Sequence, residues 1–361
     1  MHLAQLRLRD FRNYTRLDAT FSPGFHVLRG ANAQGKTNIL EAIYLLATLR
    51  SFRGVGGAQM IRHGARGYFV GATIEGTGQH VVKAYWSSRE RKLSLDERPI
   101  RRLADYFGTL RSVVFCTEDL LLVKGAAKAR RRFMDLLLAQ TQPGYLALLL
   151  RYTQALRSRN ALLKHHSLDE DSLAGFTHEL VQVGSQLISA RQSLVPRLSP
   201  LTRLAFRRIA NDADDLRIDY APSVSGDLAL ALTQARSRER TLRTTVLGPH
   251  RDDLEFFIND RSAAEYSSEG QKRTLAIALK MAQAELLTGI HGVSPVLLID
   301  DVMGELDAQR RNGLLPLLNR AYQAGGQAFM TCTAESWSRE LGRDFQSWDV
   351  SAGSIRSVQE S

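Results

Sequence analysis

The stretch GANAQGKT, residues 30–37, constrains the fold of this chain more than any other feature. Its Gly30, Gly35, Lys36 and Thr37 match the pattern GxxxxGK[ST], in which glycine backbone amides surround phosphate oxygens, the lysine reaches the β and γ phosphates and the hydroxyl ligates Mg²⁺. A strand-like run, FHVLRG, precedes the loop, and KTNILEAIYLLATL follows it with apolar residues at helical spacing. The sequence therefore predicts a phosphate loop between a strand and a helix.

A second feature, VLLIDD, is a buried apolar run that ends in two carboxylates. Hydrolysis of a nucleoside triphosphate needs a carboxylate on the metal side and a group that orients water, and these usually follow a neighbouring buried strand. We predict that Asp300 and Thr37 hold Mg²⁺, and that Asp301 and Lys36 are catalytic. The predicted ATP-binding residues of the loop and the next turn are Gly30, Ala31, Asn32, Ala33, Gln34, Gly35, Lys36, Thr37 and Asn38.

The hydrophobic period changes along the chain and indicates its organisation. Residues 67–100 alternate between apolar and polar side chains, with glycine or charged turns, which predicts an antiparallel β meander. From about residue 117 to 240, amphipathic helical patterns dominate. We predict an α/β fold in which residues 1–115 and 240–361 form a discontinuous ATPase domain and residues 116–239 form an inserted α-helical lobe.

Charge and cysteine content limit the classes of partner and compartment. The 48 Lys and Arg exceed the 37 Asp and Glu by a net charge of +11, which favours a polyanion such as nucleic acid, although a solvated basic surface explains the charge equally well. Cys116 and Cys332 lie far apart and give no disulfide framework or zinc site. The N-terminus lacks a signal-peptide pattern, and the apolar runs are too short to span a bilayer. We expect a soluble cytoplasmic protein.

The stretch YSSEGQKR precedes a long helical pattern, and Ser268 with Gln271 fits a capping box. A Ser-x-Gly-Gln element shortly before a carboxylate strand also resembles the ABC-type ATPases, in which a signature sequence precedes the Walker B strand. This resemblance assigns Ser268, Gly270 and Gln271 to the signature, with Glu269 in place of its usual first glycine. It also assigns GELDAQRR to the D-loop, with Asp307 as its acid.

Further stretches narrow the resemblance to one family. LRDFRNY, VKGAAKARRRFMD, LGPHRDDL and LLIDDVMGELD, with the phosphate loop and the signature helix, extend over nearly the whole chain and resemble the RecF family, which is related to the heads of SMC-type ATPases. The resemblance implies an ATPase head of ABC/SMC type that dimerises around two ATP molecules and binds duplex, single-stranded or gapped DNA. With RecO and RecR, such a protein helps to load the RecA recombinase on strands coated by SSB, in recombinational repair and replication restart.

The family resemblance also implies roles for single residues. Arg12 and Asn13 fall where SMC-like heads contact nucleotide, and Ser268 and its neighbours would meet the γ-phosphate held by the other subunit. A helix N-terminus suits that role because its free N–H groups and its dipole favour an anion. Asp301 stands where most ABC ATPases have Glu, so we expect weak, DNA-stimulated hydrolysis. Thr331 or Thr333 replaces the usual γ-phosphate-sensing histidine, and FCTEDLL occupies the region of the glutamine loop.

Two alternatives share these motifs. One is the nucleotide-binding subunit of an ABC transporter, which also has a phosphate loop, a signature and a D-loop. The other is a scaffold that binds ATP and hardly hydrolyses it, which the short side chain of Asp301 and the missing histidine favour.

One charged loop and a set of basic runs each have two possible interpretations. The loop LGPHRDDL is either a local ion-paired loop or a direct nucleotide or DNA contact. The basic runs at residues 101–102 and 130–132, with Lys124 and Lys128, either contact a phosphate backbone or form solvated and intramolecularly paired surfaces. No base-reading motif appears, so any DNA binding is expected to depend on DNA structure.

Overall fold

The structure is a computed structural model that describes residues 1–76, 78–165, 169–210, 214–302, 307–323, 325–332 and 345–358, with only the backbone of residues 308 and 322. The chain divides into two compact units. Unit 1 contains Met1–Leu120, Leu204–Asp212 and Arg273–Ser361, and unit 2 contains Leu121–Arg203 and Ala213–Lys272. No helix within the described residues combines the length and apolar character that a membrane crossing requires.

The regular elements are numbered in chain order. The strands are β1 His2–Phe11, β2 Tyr14–Thr20, β3 Gly24–Arg29, β4 Gly67–Glu75, β5 Gln79–Ser87, β6 Arg91–Leu95, β7 Arg98–Pro99, β8 Ser112–Phe115, β9 Leu216–Ala221, β10 Asp253–Ile258, β11 Arg261–Ser262, β12 Val296–Ile299, β13 Gln327–Cys332, β14 Phe345–Ser351 and β15 Ser354–Val358. The α-helices are α1 Lys36–Thr48, α2 Leu121–Lys124, α3 Ala127–Thr141, α4 Tyr145–Lys164, α5 Glu170–Ile209, α6 Leu228–Leu242, α7 Ala263–Tyr266, α8 Glu269–His291 and α9 Ala308–Gln323.

The first sheet of unit 1 carries the phosphate loop. Among the described residues its strand order is β15-β14-β3-β13-β12-β8, and β14, β3, β13, β12 and β8 run parallel. All four residues of β12 and all six of β13 are buried, as expected for parallel strands covered on both faces. Because parallel strands end at the same edge, the carboxyl ends of β3, β13 and β12 come together there.

The second sheet of unit 1 is antiparallel. Its described order is β2-β1-β4-β5-β6-β7, and the predicted meander over residues 67–100 is confirmed as β4, β5, β6 and β7. Leu6 and Leu8 of β1 are fully buried, whereas Arg7 between them and Arg9 after them are only partly covered. This alternation is the period-2 pattern of a strand with one face in the core.

Unit 2 combines helices α3, α4 and α6 with a small antiparallel sheet of order β11-β10-β9. The sequence pattern predicts that the ATPase domain resumes at residue 240. In the structure, the boundary between the two compact units lies at 272/273. The difference has a physical cause, because β10 pairs along its whole length with β9, from Asp253 opposite Ala221 to Ile258 opposite Leu216. Pairing between distant strands is not visible in local periodicity.

A buried histidine contacts several strands in the core of unit 1. His26 of β3 is fully buried, its Nδ1 accepts a hydrogen bond from Trp348 Nε1 at 3.1 Å, and its Nε2 lies 2.8 Å from the carbonyl oxygen of Ser22. Its ring stacks on Phe329 with a centroid distance of 4.8 Å. Burial lowers the pKa of His26 to about 4, the Ser22 carbonyl opposing and His2 adding to the shift. The imidazole is therefore neutral in the folded protein at neutral pH.

This burial predicts an acid-sensitive stability. The unfolded chain protonates His26 near pH 6.5 and the folded chain near pH 4, so the stability is present above about 6.5 and is lost as pH falls between these values. From pH 7.5 to pH 4, the urea-derived free energy of unfolding of the wild type should fall by about 3 kcal/mol more than that of His26→Gln, which cannot titrate. Equal losses in the two proteins would contradict this assignment.

Candidate functional site

The phosphate loop turns tightly between β3 and α1, and two glycines are needed there. Gly30 and Gly35 have φ angles of 148° and 114°, in the region that favours glycine. A Cβ on Gly30 would lie 2.3 Å from the carbonyl oxygen of Val350 in β14. A Cβ on Gly35 would lie within 3 Å of the Asn13 amide and the Tyr14 hydroxyl. The glycines of the sequence pattern therefore match both the backbone conformation and the space around it.

Lys36 closes this loop with its own side chain. Its Nζ donates hydrogen bonds to the carbonyl oxygens of Gly30 at 2.6 Å and Ala31 at 2.9 Å. The residue is only 7% exposed. Burial lowers the pKa of Lys36, while the nearby carboxylates of Asp301 and Asp300 oppose the shift. A cation is therefore held inside the loop between backbone carbonyls and two acids.

Thr37 and Asp300 are brought together as the sequence predicts. Thr37 Oγ1 donates to Asp300 Oδ1 at 2.8 Å, across 263 residues of sequence. Thr331 Oγ1 donates to the same oxygen at 3.1 Å, and the backbone N–H of Asp301 donates to Thr331 Oγ1 at 2.8 Å. Burial raises the pKa of Asp300 above its usual value, although the two hydroxyl donors oppose this shift. The strand order β3-β13-β12 is what makes this contact.

These oxygens fit a magnesium ion that is shared with a substrate. A hydroxyl and a carboxylate are the hard oxygen ligands that Mg²⁺ prefers, and the ion usually keeps several waters and binds substrate phosphates with only one or two protein carboxylates. Within the described part of the chain, no group of three or more His, Cys, Asp or Glu residues could hold a metal by itself. The donor set of Thr37 and Asp300 therefore suits Mg²⁺ that arrives with a nucleotide.

Asn13 lies against the phosphate loop. Its Nδ2 donates to the carbonyl oxygen of Gln34 at 2.8 Å, and its Oδ1 accepts from Asn38 Nδ2 at 2.8 Å. Tyr14, which the sequence analysis did not single out, donates from its hydroxyl to the Gly35 carbonyl oxygen at 3.1 Å. The side chain of Gln34 accepts from the backbone N–H of Ala352 at 2.8 Å. Asn13 and Tyr14 therefore support the shape of the loop.

Arg12 pairs with Glu41, whereas its neighbour Asn13 contacts the phosphate loop. Its Nε and one terminal nitrogen donate to the two carboxylate oxygens of Glu41 at 2.7 Å each, and its other terminal nitrogen donates to the Gln59 carbonyl oxygen at 2.8 Å. Glu41 of α1 is fully buried and also accepts from the Ser51 hydroxyl. Arg12 thus neutralises a buried carboxylate on the helix that follows the phosphate loop. Sequence reasoning missed Glu41 because an isolated acid in a helical pattern gives no signal.

The signature residues lie in unit 2 at the start of α8. The predicted capping box is confirmed, since the Gln271 backbone N–H donates to Ser268 Oγ at 3.1 Å and the Ser268 N–H donates to Gln271 Oε1 at 3.0 Å. Gln271 Nε2 also donates to Asp214 Oδ2 at 3.0 Å. Glu269, the departure from the signature pattern, lies 3.4 Å from Lys124 Nζ. Ser268 is exposed.

Asp307 of the predicted D-loop directly precedes α9 and caps its first turn. Its Oδ1 accepts from the backbone N–H of Arg310 at 2.9 Å, and its side chain pairs with the Arg310 guanidinium. Arg310 also donates to Thr274 Oγ1 at 2.8 Å. Residues 304–306 of the D-loop, and Thr333, one of the two candidates for the missing histidine, lie outside the described residues.

The two carboxylates of the loop LGPHRDDL are ion-paired within unit 2, as the local reading predicts. The fully buried Asp252 contacts Arg191 at 3.2 Å and accepts from the backbone N–H of Ser223 at 2.8 Å. Asp253 accepts two 2.7 Å hydrogen bonds from Arg130. Arg130 is therefore paired inside the protein, as the intramolecular reading of its basic run expects.

Comparisons with known proteins agree with this fold. The family model described as the RecF/RecN/SMC N terminal domain matches residues 2–345. A protein of Symbiobacterium thermophilum named DNA replication and repair protein RecF is 39% identical, with 98% of each chain covered, and a protein of the same name from a Synechococcus species is 40% identical over 90% of each.

Solved structures show the same likeness. One described as the recombination mediator protein RecF-ATP in the RecFOR pathway superposes with a TM-score of 0.91 at 28% identity, covering 99% of this chain and 98% of that one. The Smc head domain from Pyrococcus furiosus shares the fold at 16% identity and a TM-score of 0.57, covering 99% of this chain and 96% of that one.

The parallel sheet, the phosphate loop and the antiparallel meander define an ATPase head of ABC/SMC type. Within that class, the chain belongs to the RecF family. The predicted fold and family are confirmed, and the alternative of a transporter subunit is not favoured.

The Arg12 pair predicts a loss of stability that is independent of nucleotide. Arg12→Ala leaves the buried Glu41 without its cation and should lower the free energy of unfolding by about 3 kcal/mol, measured in urea without ATP. The matched control is Arg16→Ala, because the Arg16 side chain is 73% exposed in its pair with Asp18 and should cost less than about 1 kcal/mol. Similar losses in the two variants would show that Arg12 has no such structural role.

Proposed function

We propose that this chain is an ATP-dependent DNA-binding protein of recombinational repair and replication restart. The observation that carries the proposal is the hydrogen bond between Thr37 of the phosphate loop and Asp300 at the end of β12, beside a lysine held in the loop. Relatives named DNA replication and repair protein RecF, and a structure of RecF-ATP in the RecFOR pathway, support it.

The proposed roles at the site follow from the chemistry of its side chains. Lys36 binds the β and γ phosphates, and the backbone of residues 30–35 and the first turn of α1, including Asn38, surrounds them. Thr37 and Asp300 would hold Mg²⁺, which would neutralise charge on the phosphate oxygens. Asp301 orients the attacking water and accepts its proton. Because the side chain of Asp is shorter than that of Glu, we propose weak ATPase activity that DNA stimulates.

We propose that ATP completes a homodimer. Ser268 is exposed at the start of α8, where the positive end of the helix dipole favours an anion. With Gly270 and Gln271, it would bind the γ-phosphate held by a second copy, and Asp307 would lie at the same interface. ATP then stabilises the dimer by mass action, and hydrolysis removes the contact. Asn13 would support the nucleotide through the loop that it contacts, and Arg12 through Glu41 of α1, the helix that follows the loop.

The partners and the division of the chain belong to the same proposal. The net charge of +11 suits a phosphate backbone, so we propose binding to duplex, single-stranded and gapped DNA without base reading. RecO and RecR are the proposed protein partners, because the RecF-ATP structure belongs to the RecFOR pathway. We propose a cytoplasmic protein whose ATPase domain is discontinuous, with the inserted lobe ending near residue 272.

The phosphate loop is tested by Lys36→Ala. Loss of the charge-assisted hydrogen bonds from Nζ should weaken binding of ATP at least about 100-fold, measured with a fluorescent ATP analogue. ATP-dependent binding to gapped DNA should disappear with it. A Lys36→Ala protein that keeps wild-type ATP affinity would contradict the proposed site.

The dimer is tested by Ser268→Arg. The variant should bind ATP within about twofold of wild type, because its own phosphate loop is intact, but it should sediment as a monomer with ATP. Ser237→Arg adds the same charge on an exposed face of α6 and is the control that should dimerise. If Ser268→Arg dimerises with ATP like wild type, the cross-subunit role is wrong.

A further inference from the structure

Thr331 occupies the one strand that lies between the two halves of the site. β13 pairs with β3, where Thr331 is opposite Leu28, and with β12, where Met330 is opposite Ile299. β3 leads into the phosphate loop and β12 leads into the two acids. A side chain at the carboxyl end of β13 is therefore placed to contact both neighbours.

The hydroxyl of Thr331 uses its only donor on one acid and accepts a hydrogen bond from the backbone of the other. It donates its single proton to Asp300 Oδ1 at 3.1 Å and accepts from the backbone N–H of Asp301 at 2.8 Å. Thr331 is 2% exposed, so water does not replace these bonds readily. A hydroxyl engaged in this way has no second proton to donate to a phosphate.

The two hydrogen bonds of Thr331 orient the Asp300 carboxylate and the Asp301 backbone. Thr37 and Thr331 donate to the same oxygen of Asp300, which holds that oxygen next to the phosphate loop. Asp301 has a φ of 54°, a left-handed conformation that a non-glycine residue rarely adopts. The bond from its N–H to Thr331 holds the backbone in that conformation, and this sets the direction of the Asp301 side chain beyond the end of β12.

We propose that Thr331 is a positioning residue for the metal-side carboxylate Asp300 and for the backbone of Asp301, and is not the group that senses the γ-phosphate. The proposal rests on the proposed function of this site in binding ATP with Mg²⁺. It assigns to Thr331 the outer contact that orients a metal ligand, a kind of contact whose loss weakens metal binding although the ligand itself is still present.

The test uses full-length Thr331→Val, which removes the hydroxyl and keeps the branched shape, and Thr331→Ser, which keeps the hydroxyl. ATP and ADP affinities are measured by equilibrium titration in EDTA and at a series of Mg²⁺ concentrations. In Thr331→Val, the gain in ATP affinity that Mg²⁺ produces should fall about tenfold. The affinity in EDTA and the ratio of ATP to ADP affinity in EDTA should stay within about twofold of wild type, because Lys36 and the loop are unchanged. Thr331→Ser should restore the Mg²⁺ effect to within about threefold.

Three outcomes would overturn the positioning role. One is a Thr331→Val protein with the wild-type response to Mg²⁺. Another is a loss of the ATP-to-ADP ratio in EDTA, which identifies a phosphate sensor. The third is a Thr331→Ser protein as impaired as Thr331→Val, which identifies a packing defect. A wild-type protein that binds no ATP would instead contradict the proposed function, so the two failures are distinguishable.

Discussion

The hydrogen bond between Thr37 and Asp300 depends on the order of three parallel strands, and the rest of the candidate site depends on that order. β3 delivers the phosphate loop, β12 delivers two acids, and β13 between them contributes Thr331. A register shift of one residue in any of these strands would turn the buried side chains to the opposite face. The core that fixes the register, including His26 and its contact with Trp348, is therefore also what fixes the site.

The ion pairs of this chain form two groups, buried and exposed, that differ in their contribution to stability. Arg12, Arg130 and Arg191 are largely buried and each pairs with a carboxylate, so removing one partner would leave an uncompensated charge. Pairs such as Arg16 with Asp18 are exposed and contribute little to stability. A high net positive charge therefore does not mark every arginine as a nucleic-acid contact, and the sequence run at residues 130–132 illustrates this.

Local patterns in the sequence predicted the phosphate loop, the meander, the capping box of Ser268 and Gln271 and the pairing of Thr37 with Asp300. Each of these depends on short-range spacing or on the rule that parallel strands end at one edge. The partner of Arg12, the support of Gly35 by Tyr14 and the pairing of β10 with β9 were not predictable. These contacts join residues that are far apart in sequence. The periodicity of apolar residues does not indicate which distant side chain fills a buried position. The sequence marks Thr331 as a candidate, but its role depends on hydrogen bonds between residues that are distant in the chain.

We propose that each ATP is bound by the phosphate loop of one copy and the signature of the other. Mixing two variants tests it directly, because a Lys36→Ala chain keeps its signature and a Ser268→Arg chain keeps its phosphate loop. In analytical ultracentrifugation with ATP, each variant alone should sediment as a monomer, and the mixture should contain a dimer with one complete composite site. A mixture that stays monomeric, while the wild type dimerises with ATP, would contradict the claim.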